Sequence, residues 1–147
     1  MFLFVITIKK ISTAQELSVA LQIRNLVFSK EISSYPAEKE DLDLISEQFL
    51  AYDENSKACG AARWRFGEGE IVLERCAVLK EYRTKGVGTS LVQAIIKDIQ
   101  ANPNTQGLKI SLCCQPSSIF LYQKFGFAKS GSPFIQDGEI QIPMTMI

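Results

Sequence analysis

The stretch Arg83-Thr84-Lys85-Gly86-Val87-Gly88-Thr89 sets two glycines and two cations between an apolar run at 71–79 and a helical pattern of Leu91, Val92, Ile95, Ile96 and Ile99. A strand that enters a glycine turn and leaves as a helix presents backbone N–H groups with no internal partner, and the helix dipole there favours an anion such as a phosphate. Gly86 and Gly88 let backbone approach a ligand closely, and Arg83 and Lys85 add positive charge at the mouth. The same heptapeptide also serves as an ordinary strand–turn–helix corner, and taken alone it leaves both readings open. Upstream, Glu74 and Arg75 are adjacent charges inside the apolar run. Simple alternation cannot expose both, so the strand is irregular there, as at a bulge, or one charge faces a polar cavity.

Other chemistries are excluded by composition. The 147 residues contain no histidine, which removes Ser-His-Asp, Cys-His and His-ligated zinc mechanisms. Cys59, Cys76, Cys113 and Cys114 form no C-x-x-C pair, and neighbours on a strand point to opposite faces, so no metal site is expected. Buried, reduced thiols suit a cytoplasmic protein. Sixteen basic and sixteen acidic residues cancel, giving no general affinity for nucleic acid. The apolar start, 1–8, lacks the features of a signal peptide, and no run reaches membrane-spanning length.

The elements that must position the heptapeptide follow from periodicity. Residues 2–8 read as a first strand. Thr13-Ala14-Gln15-Glu16 is a capping box, and the helix it starts runs to about residue 28, with Leu17, Ala20, Leu21, Val27 and Phe28 on one stripe. Arg24 lies within that stripe; either it is buried with a partner, or its stem covers apolar surface while its head reaches water, the preferred expectation. Residues 30–43 read as a loop, with a short helix over 37–45. Strands at 48–53, 57–66 and 70–79, joined by turns at Asp53-Glu54-Asn55-Ser56 and Gly67-Glu68-Gly69, form an antiparallel meander. A helix over 88–100, a strand over 108–114, a helix over 117–125 behind Pro116 and stopped by Gly126, a strand from Phe127, a turn at Asp137-Gly138 and a last strand over 140–147 complete the order β-α-β-β-β-α-β-α-β-β. The expected fold class is α/β (α+β), a single domain over 1–147 with a mixed, mostly antiparallel sheet of six to seven strands and helices on both faces.

With the motifs set in these elements, the chain resembles the GNAT superfamily of acyl-CoA N-acyltransferases. Arg83-x-x-Gly86-x-Gly88 matches that family's pyrophosphate loop, and Phe120-Leu121-Tyr122-Gln123-Lys124-Phe125-Gly126-Phe127 is similar to its late helix, with Leu121 where Phe is usual. Gly60-Ala61-Ala62-Arg63-Trp64-Arg65, Leu73 to Val78, and Gln115 seven residues before Tyr122 are similar to small bacterial GNAT proteins of uncertain substrate. That group commonly runs Val-Phe-Val-x-Glu-Gln after its first helix, whereas this chain reads Val27-Phe28-Ser29-Lys30-Glu31-Ile32; the group often carries a histidine where Gln141 stands here. Any part that histidine plays in relatives is played differently in this chain, or not at all.

The resemblance implies an N-acetyltransferase with acetyl-CoA as co-substrate and a small-molecule primary amine as acceptor. It implies pyrophosphate binding by Arg83, Thr84, Lys85, Gly86, Val87, Gly88 and Thr89, with Gln115 nearby, and pantetheine contact through the backbone of Cys76, Ala77 and Val78. A backbone N–H of Ala77 or Val78 is the candidate donor to the thioester oxygen. Tyr122 stands at the general-acid position; on residues alone it is equally a packed aromatic. An amine with a pKa of about 10 needs a base near neutral pH, and Glu74 is the candidate, directly or through water; a salt bridge of Glu74 with Arg63, Arg65 or Arg75 fits the residues as well. Without histidine, Cys76 has no activating base, so direct transfer in a ternary complex is expected over an acyl-enzyme. Arg63 and Arg65 share a strand face and suit either an anionic substrate group or Glu74. The alternatives are a non-catalytic acyl-CoA sensor and a nucleotide-phosphate binder. The latter is disfavoured because the loop lacks Gly-x-x-x-x-Gly-Lys-Ser/Thr. Oligomeric state, a homodimer included, stays open.

Overall fold

The computed structural model describes residues 5–31, 41–136 and 138–146. The part of the first strand expected at 2–4, the loop and helix expected within 32–40, Asp137 of the expected turn and Ile147 of the last strand lie outside them. The element order is β1 (Thr7–Lys10), α1 (Ala14–Glu31), a 3-10 turn (Asp41–Ile45), β2 (Glu47–Tyr52), β3 (Ala58–Phe66), β4 (Ile71–Val78), a 3-10 turn (Lys80–Tyr82), α2 (Val87–Ala101), a 3-10 turn (Pro103–Thr105), β5 (Ile110–Cys114), a 3-10 turn (Pro116–Ser118), α3 (Ile119–Gln123), β6 (Ala128–Lys129), β7 (Phe134–Gln136) and β8 (Glu139–Met146). The strands run in the order β1-β2-β3-β4-β5-β8-β6, with β7 paired to β8. Among the described residues, only the central β4–β5 pair is parallel.

This is the expected mixed, mostly antiparallel sheet with helices, and the meander β2-β3-β4 is in place. Among the described residues the strands number eight, because the chain after Phe127 forms two short strands against β8 that carry too few residues to show a period. β1 lies later than expected: Lys9 and Lys10 belong to it, paired with Leu50 and Phe49 of β2. As the end strand it can hold lysines, whose heads reach Glu16 and Asp98.

Alternation divides the core in two. Leu50 and Ala61 face α1, where they meet Ala20, Ile23 and Val27. Phe49, Ala62 and Trp64 face α2, where Leu91, Val92, Ile95 and Ile99 cover them. The capping box is formed: Thr13 Oγ1 accepts the Glu16 N–H at 3.1 Å, and Glu16 Oε1 accepts the Thr13 N–H at 3.1 Å. The start of α2 is pressed onto the sheet at Gly60, where a Cβ would stand 2.8 Å from Val87 Cγ1 and 3.2 Å from the Ala77 carbonyl oxygen.

Arg24 corrects the preferred expectation. Its head does not reach water: the residue is 1% exposed. Arg24 Nη2 instead donates to Asp43 Oδ1 at 2.6 Å. Asp43 lies on the turn before β2, and its side chain is fully buried. It also accepts from Arg63 Nη1 at 2.6 Å and Gln48 Nε2 at 2.8 Å. The periodic stripe placed Arg24 correctly on the buried face of α1; the partner came from a polar segment that sequence pattern alone reads as surface.

Candidate active site

β4 and β5 pair only at Ile71–Ile110 and Val72–Ser111. Beyond Val72 the two parallel strands part, and a wedge opens in the middle of the sheet. β4 is also bulged here. Its register with β3 steps from Glu74–Arg63 to Ala77–Ala61, three residues against two, and Arg75 takes φ 56°. The adjacent charges of the sequence are the mark of this bulge. It flips the strand's parity, so Leu73, Cys76 and Val78 all pack toward the α2 side, while Ala77 packs toward α1.

The wedge is a cleft of about 630 Å³. On its walls are the expected residues Glu74, Cys76, Val78, Gln115 and Tyr122. At its glycine-turn end are Arg83, Thr84, Gly86, Val87, Gly88 and Thr89. Ala77 and Lys85 are not on the lining. Ala77 is 1% exposed in the α1 core. The Leu79 N–H donates to Cys59 of β3 at 3.0 Å. Alternation then turns the Ala77 N–H toward β3 as well and the Val78 N–H toward the open seam. Of the two expected backbone donors, Val78 therefore points to the open seam, while Ala77 points to β3.

The glycine turn meets the requirements of an anion cradle. The first backbone bond of α2 runs from the Ser90 N–H to the Gly86 carbonyl at 3.0 Å, so the N–H groups of Val87, Gly88 and Thr89 precede the helical ladder. Gly86 has φ 84°, with open space where a Cβ would stand, so glycine is needed there for backbone conformation and leaves the approach clear. Gly88 meets Leu121 of α3, which a Cβ would contact at 3.4 Å. Arg83 Nε donates to the Val78 carbonyl at 3.3 Å, tying the loop back to β4.

Tyr122 is 6% exposed and packs edge-on against Phe127, with ring centroids 5.9 Å apart. Burial, with the Cys76 and Cys114 thiols nearby, pushes its hydroxyl well above 10, so the phenol stays protonated. Burial likewise pushes the Cys76 thiol up to about 11, against a hydrogen bond with Tyr122. A helix spanning 117–125 was expected; the chain instead forms the turn Pro116–Ser118 and the five-residue α3, ended by Gly126 at φ 95°. Tyr122 still faces the cleft.

Glu74 is held by two arginines. Its Oε2 accepts from Arg63 Nε at 2.8 Å, Arg63 Nη2 at 2.5 Å and Arg65 Nε at 3.0 Å. Oε1 takes a longer contact from Arg65 Nη2 at 3.4 Å. Burial opposes ionisation, but the Arg65 and Arg63 bonds outweigh it, and the carboxyl lies below its ordinary value. Arg63 is 0% exposed and engaged with Asp43 and Glu74, so it is not available to an anionic substrate group.

Sequence reasoning missed several lining residues. Tyr82 stands on the turn before the loop and donates to Asp53 Oδ2 at 2.6 Å. Lys124 belongs to the α3 wall; its i, i+3 spacing from Leu121 was the available signal. Cys113 is exposed on the lining, against the expectation of buried thiols, because its face of β5 lies where the sheet opens.

Residues 12–147 match the family described as acetyltransferase (GNAT) domain. The chain belongs to the GNAT acetyltransferase family. Among curated relatives it is 36% identical to the uncharacterized N-acetyltransferase YjcF of Bacillus subtilis over 115 residues, 77% of this chain and 79% of that one. In fold it is similar to an acyl-CoA N-acyltransferase from Pseudomonas aeruginosa, with TM-score 0.82 and 21% identity, covering 98% of this chain and 99% of that one. It is also similar to a GNAT family acetyltransferase from Elizabethkingia anophelis with acetyl-CoA bound, with TM-score 0.68 and 21% identity, covering 96% and 97%. This GNAT chain thus has the mixed sheet and the glycine turn in the order its motifs implied, and the seam between β4 and β5 is added by the structure.

Proposed function

We propose that this protein transfers an acetyl group from acetyl-CoA to a primary amine by direct attack. One observation carries the reading. A single cleft joins the glycine turn at the start of α2, the open edge of β4 and the Tyr122 hydroxyl. The Elizabethkingia structure, with acetyl-CoA bound in a similar fold, supports the choice of co-substrate.

The N–H groups of Val87, Gly88 and Thr89, with Arg83, hold the pyrophosphate. The open edge of β4 at Cys76 and Val78 accompanies the pantetheine arm, and the Val78 N–H donates to the thioester oxygen as charge gathers on it. In the reaction the amine nitrogen bonds to the carbonyl carbon, the C–S bond breaks, and the amine gives up a proton. Tyr122, protonated through the neutral range, donates to the departing sulfur. Glu74 has one oxygen with spare capacity, Oε1, and takes a hydrogen bond from the amine or from a water that carries its proton away. A carboxyl lowered in this way is a weak base, so it orients the amine more than it deprotonates it. The high-lying Cys76 thiol is a poor nucleophile at neutral pH, which favours direct attack over an acyl-enzyme.

The test is release of free CoA thiol from acetyl-CoA across a panel of primary amines. Turnover with at least one amine, lost in Tyr122→Phe, supports the transferase. Tight acetyl-CoA binding with no turnover on any amine favours a sensor instead.

A further inference from the structure

Three N–H groups converge on one oxygen of Glu74. Arg63 Nε, Arg63 Nη2 and Arg65 Nε donate to Oε2 at 2.8, 2.5 and 3.0 Å. Among the described residues, Oε1 takes just the 3.4 Å contact from Arg65 Nη2. A guanidinium left to itself meets a carboxylate fork to fork, with one N–H on each oxygen. Arg63 instead places two N–H groups on the same oxygen, because its third nitrogen is held elsewhere: Nη1 donates to Asp43 Oδ1 at 2.6 Å.

Asp43 is itself fixed by two further elements. The same Oδ1 accepts from Arg24 Nη2 of α1 at 2.6 Å and from Gln48 Nε2 of β2 at 2.8 Å. Asp43 sits in the turn Asp41–Ile45 and is not on the cleft lining, so it meets neither acceptor nor co-substrate. Stability alone does not account for the cluster. Arg24 Nε is buried without a hydrogen-bond partner, which is destabilising, and a buried ion cluster is weak evidence of net stabilisation. What the arrangement achieves is a Glu74 with one filled oxygen and one open oxygen.

We propose that Asp43 is a positioning residue for acetyl transfer: by holding Arg63 Nη1 it keeps that guanidinium edge-on to Oε2 and leaves Oε1 open to the amine, a role that rests on the reading of Glu74 given above. Asp43→Asn keeps the volume and an acceptor oxygen but removes the charge that draws Nη1. Arg63 can then turn its fork across both Glu74 oxygens and cover Oε1.

The test is a double-mutant cycle of Asp43→Asn and Glu74→Gln in amine turnover, on protein shown folded by circular dichroism, with calorimetry of acetyl-CoA binding alongside. Asp43→Asn should lower kcat/KM for the amine about five- to ten-fold, as misplacement of an orienting group does. Acetyl-CoA affinity should stay within about two-fold, and in the Glu74→Gln background Asp43→Asn should change kcat/KM by less than about two-fold, because the two residues act as one unit. Arg63→Lys keeps the cation but cannot bridge both acids with a planar fork. It should show the same amine-specific loss and the same collapse in the Glu74→Gln background, and it carries the test if Asp43→Asn does not fold. Unchanged turnover in Asp43→Asn, an equal loss in both backgrounds, or acetyl-CoA binding weakened in step with turnover overturns the positioning role and leaves the Glu74 reading standing. Wild-type turnover that Glu74→Gln does not alter, or no turnover with any amine, overturns both.

Discussion

Arg63 turns an edge of its guanidinium to Glu74: Nε and Nη2 both donate to Oε2, at 2.8 and 2.5 Å, while Nη1 donates to Asp43 at 2.6 Å. One buried cation thereby couples the wall of the cleft to the turn before β2. Through Asp43 the chain of contacts continues to Arg24 on α1. The turn, α1 and β3, distant in sequence, are thus held together by the buried charges of Asp43, Arg24 and Arg63, and Glu74 on β4 joins them at the cleft wall.

Asp43→Ala should leave the Arg24 and Arg63 guanidiniums buried without their shared carboxylate. Loss of one member of a buried pair costs about 3–5 kcal/mol. Urea unfolding should register that loss, whereas Lys10→Ala at the exposed Lys10–Asp98 pair should cost under about 1 kcal/mol. Acid unfolding adds a signature. Burial opposes the Asp43 charge, but bonds from Arg24, Gln48 and Arg63 prevail and bring its carboxyl from 3.8 down to about 2. A group lowered on folding stabilises above its unfolded value and loses that contribution as pH falls toward the folded one. The Asp43 contribution is therefore complete above pH about 4 and fades toward pH about 2. An Asp43→Asn variant should lack that part of the acid slope; the same slope in both proteins would assign it elsewhere.

Glu74→Gln should lower kcat/KM by about 10- to 100-fold, less than a full general base contributes, because the wild-type carboxylate orients the amine. Because that carboxyl is already lowered, it stays ionised through the neutral range. The wild-type profile should then rise with deprotonation of the amine alone. An inflection between about pH 5 and 7 that disappears in Glu74→Gln would point to a carboxyl titrating as the base.

Tyr122→Phe keeps the ring contact with Phe127 and removes only the hydroxyl. The expected effect is a fall in kcat of about 100-fold with acetyl-CoA affinity little changed. Since burial holds the phenol well above 10, the wild-type rate should not decline from its ionisation at any pH below about 9. Unchanged kcat would return Tyr122 to a packing role.

Tyr82→Phe tests the support of the loop. The hydroxyl bond to Asp53 fastens the turn before Arg83 to the β2–β3 hairpin. Without it the cradle is less well held, and acetyl-CoA should bind about three- to ten-fold more weakly, the loss of a hydrogen bond to a charged group. The KM for the amine should stay within about two-fold, since the hydroxyl lies at the phosphate end. Equal weakening for both substrates would mean a general loss of structure.

The fold was legible where local pattern and packing agree. The capping box at Thr13–Glu16, the meander and the strand–glycine–helix unit each state their conformation in a few residues. The bulge was legible as one of two alternatives: Glu74 and Arg75 break the alternation, which calls for a bulge or for a charge facing a polar cavity. What stayed hidden depends on contacts between distant residues. Arg24 and Asp43 are 19 positions apart and neither signals the other, so a buried partner for Arg24 was open but not identifiable. The parting of β4 from β5 is set by where their register ends, and composition does not carry that. Ala77 and Val78 could be separated only once the N–H of Leu79 was seen to point at β3.

Calorimetry of the wild type and Gly86→Glu with acetyl-CoA, and of the wild type with ATP, tests the central claim most directly. The expected result is single-site binding of acetyl-CoA, ATP weaker by at least about ten-fold, and loss of acetyl-CoA binding in Gly86→Glu, which sets a charge and a side chain at the anion cradle. Tighter binding of ATP, or an acetyl-CoA affinity unaltered by Gly86→Glu, would contradict it.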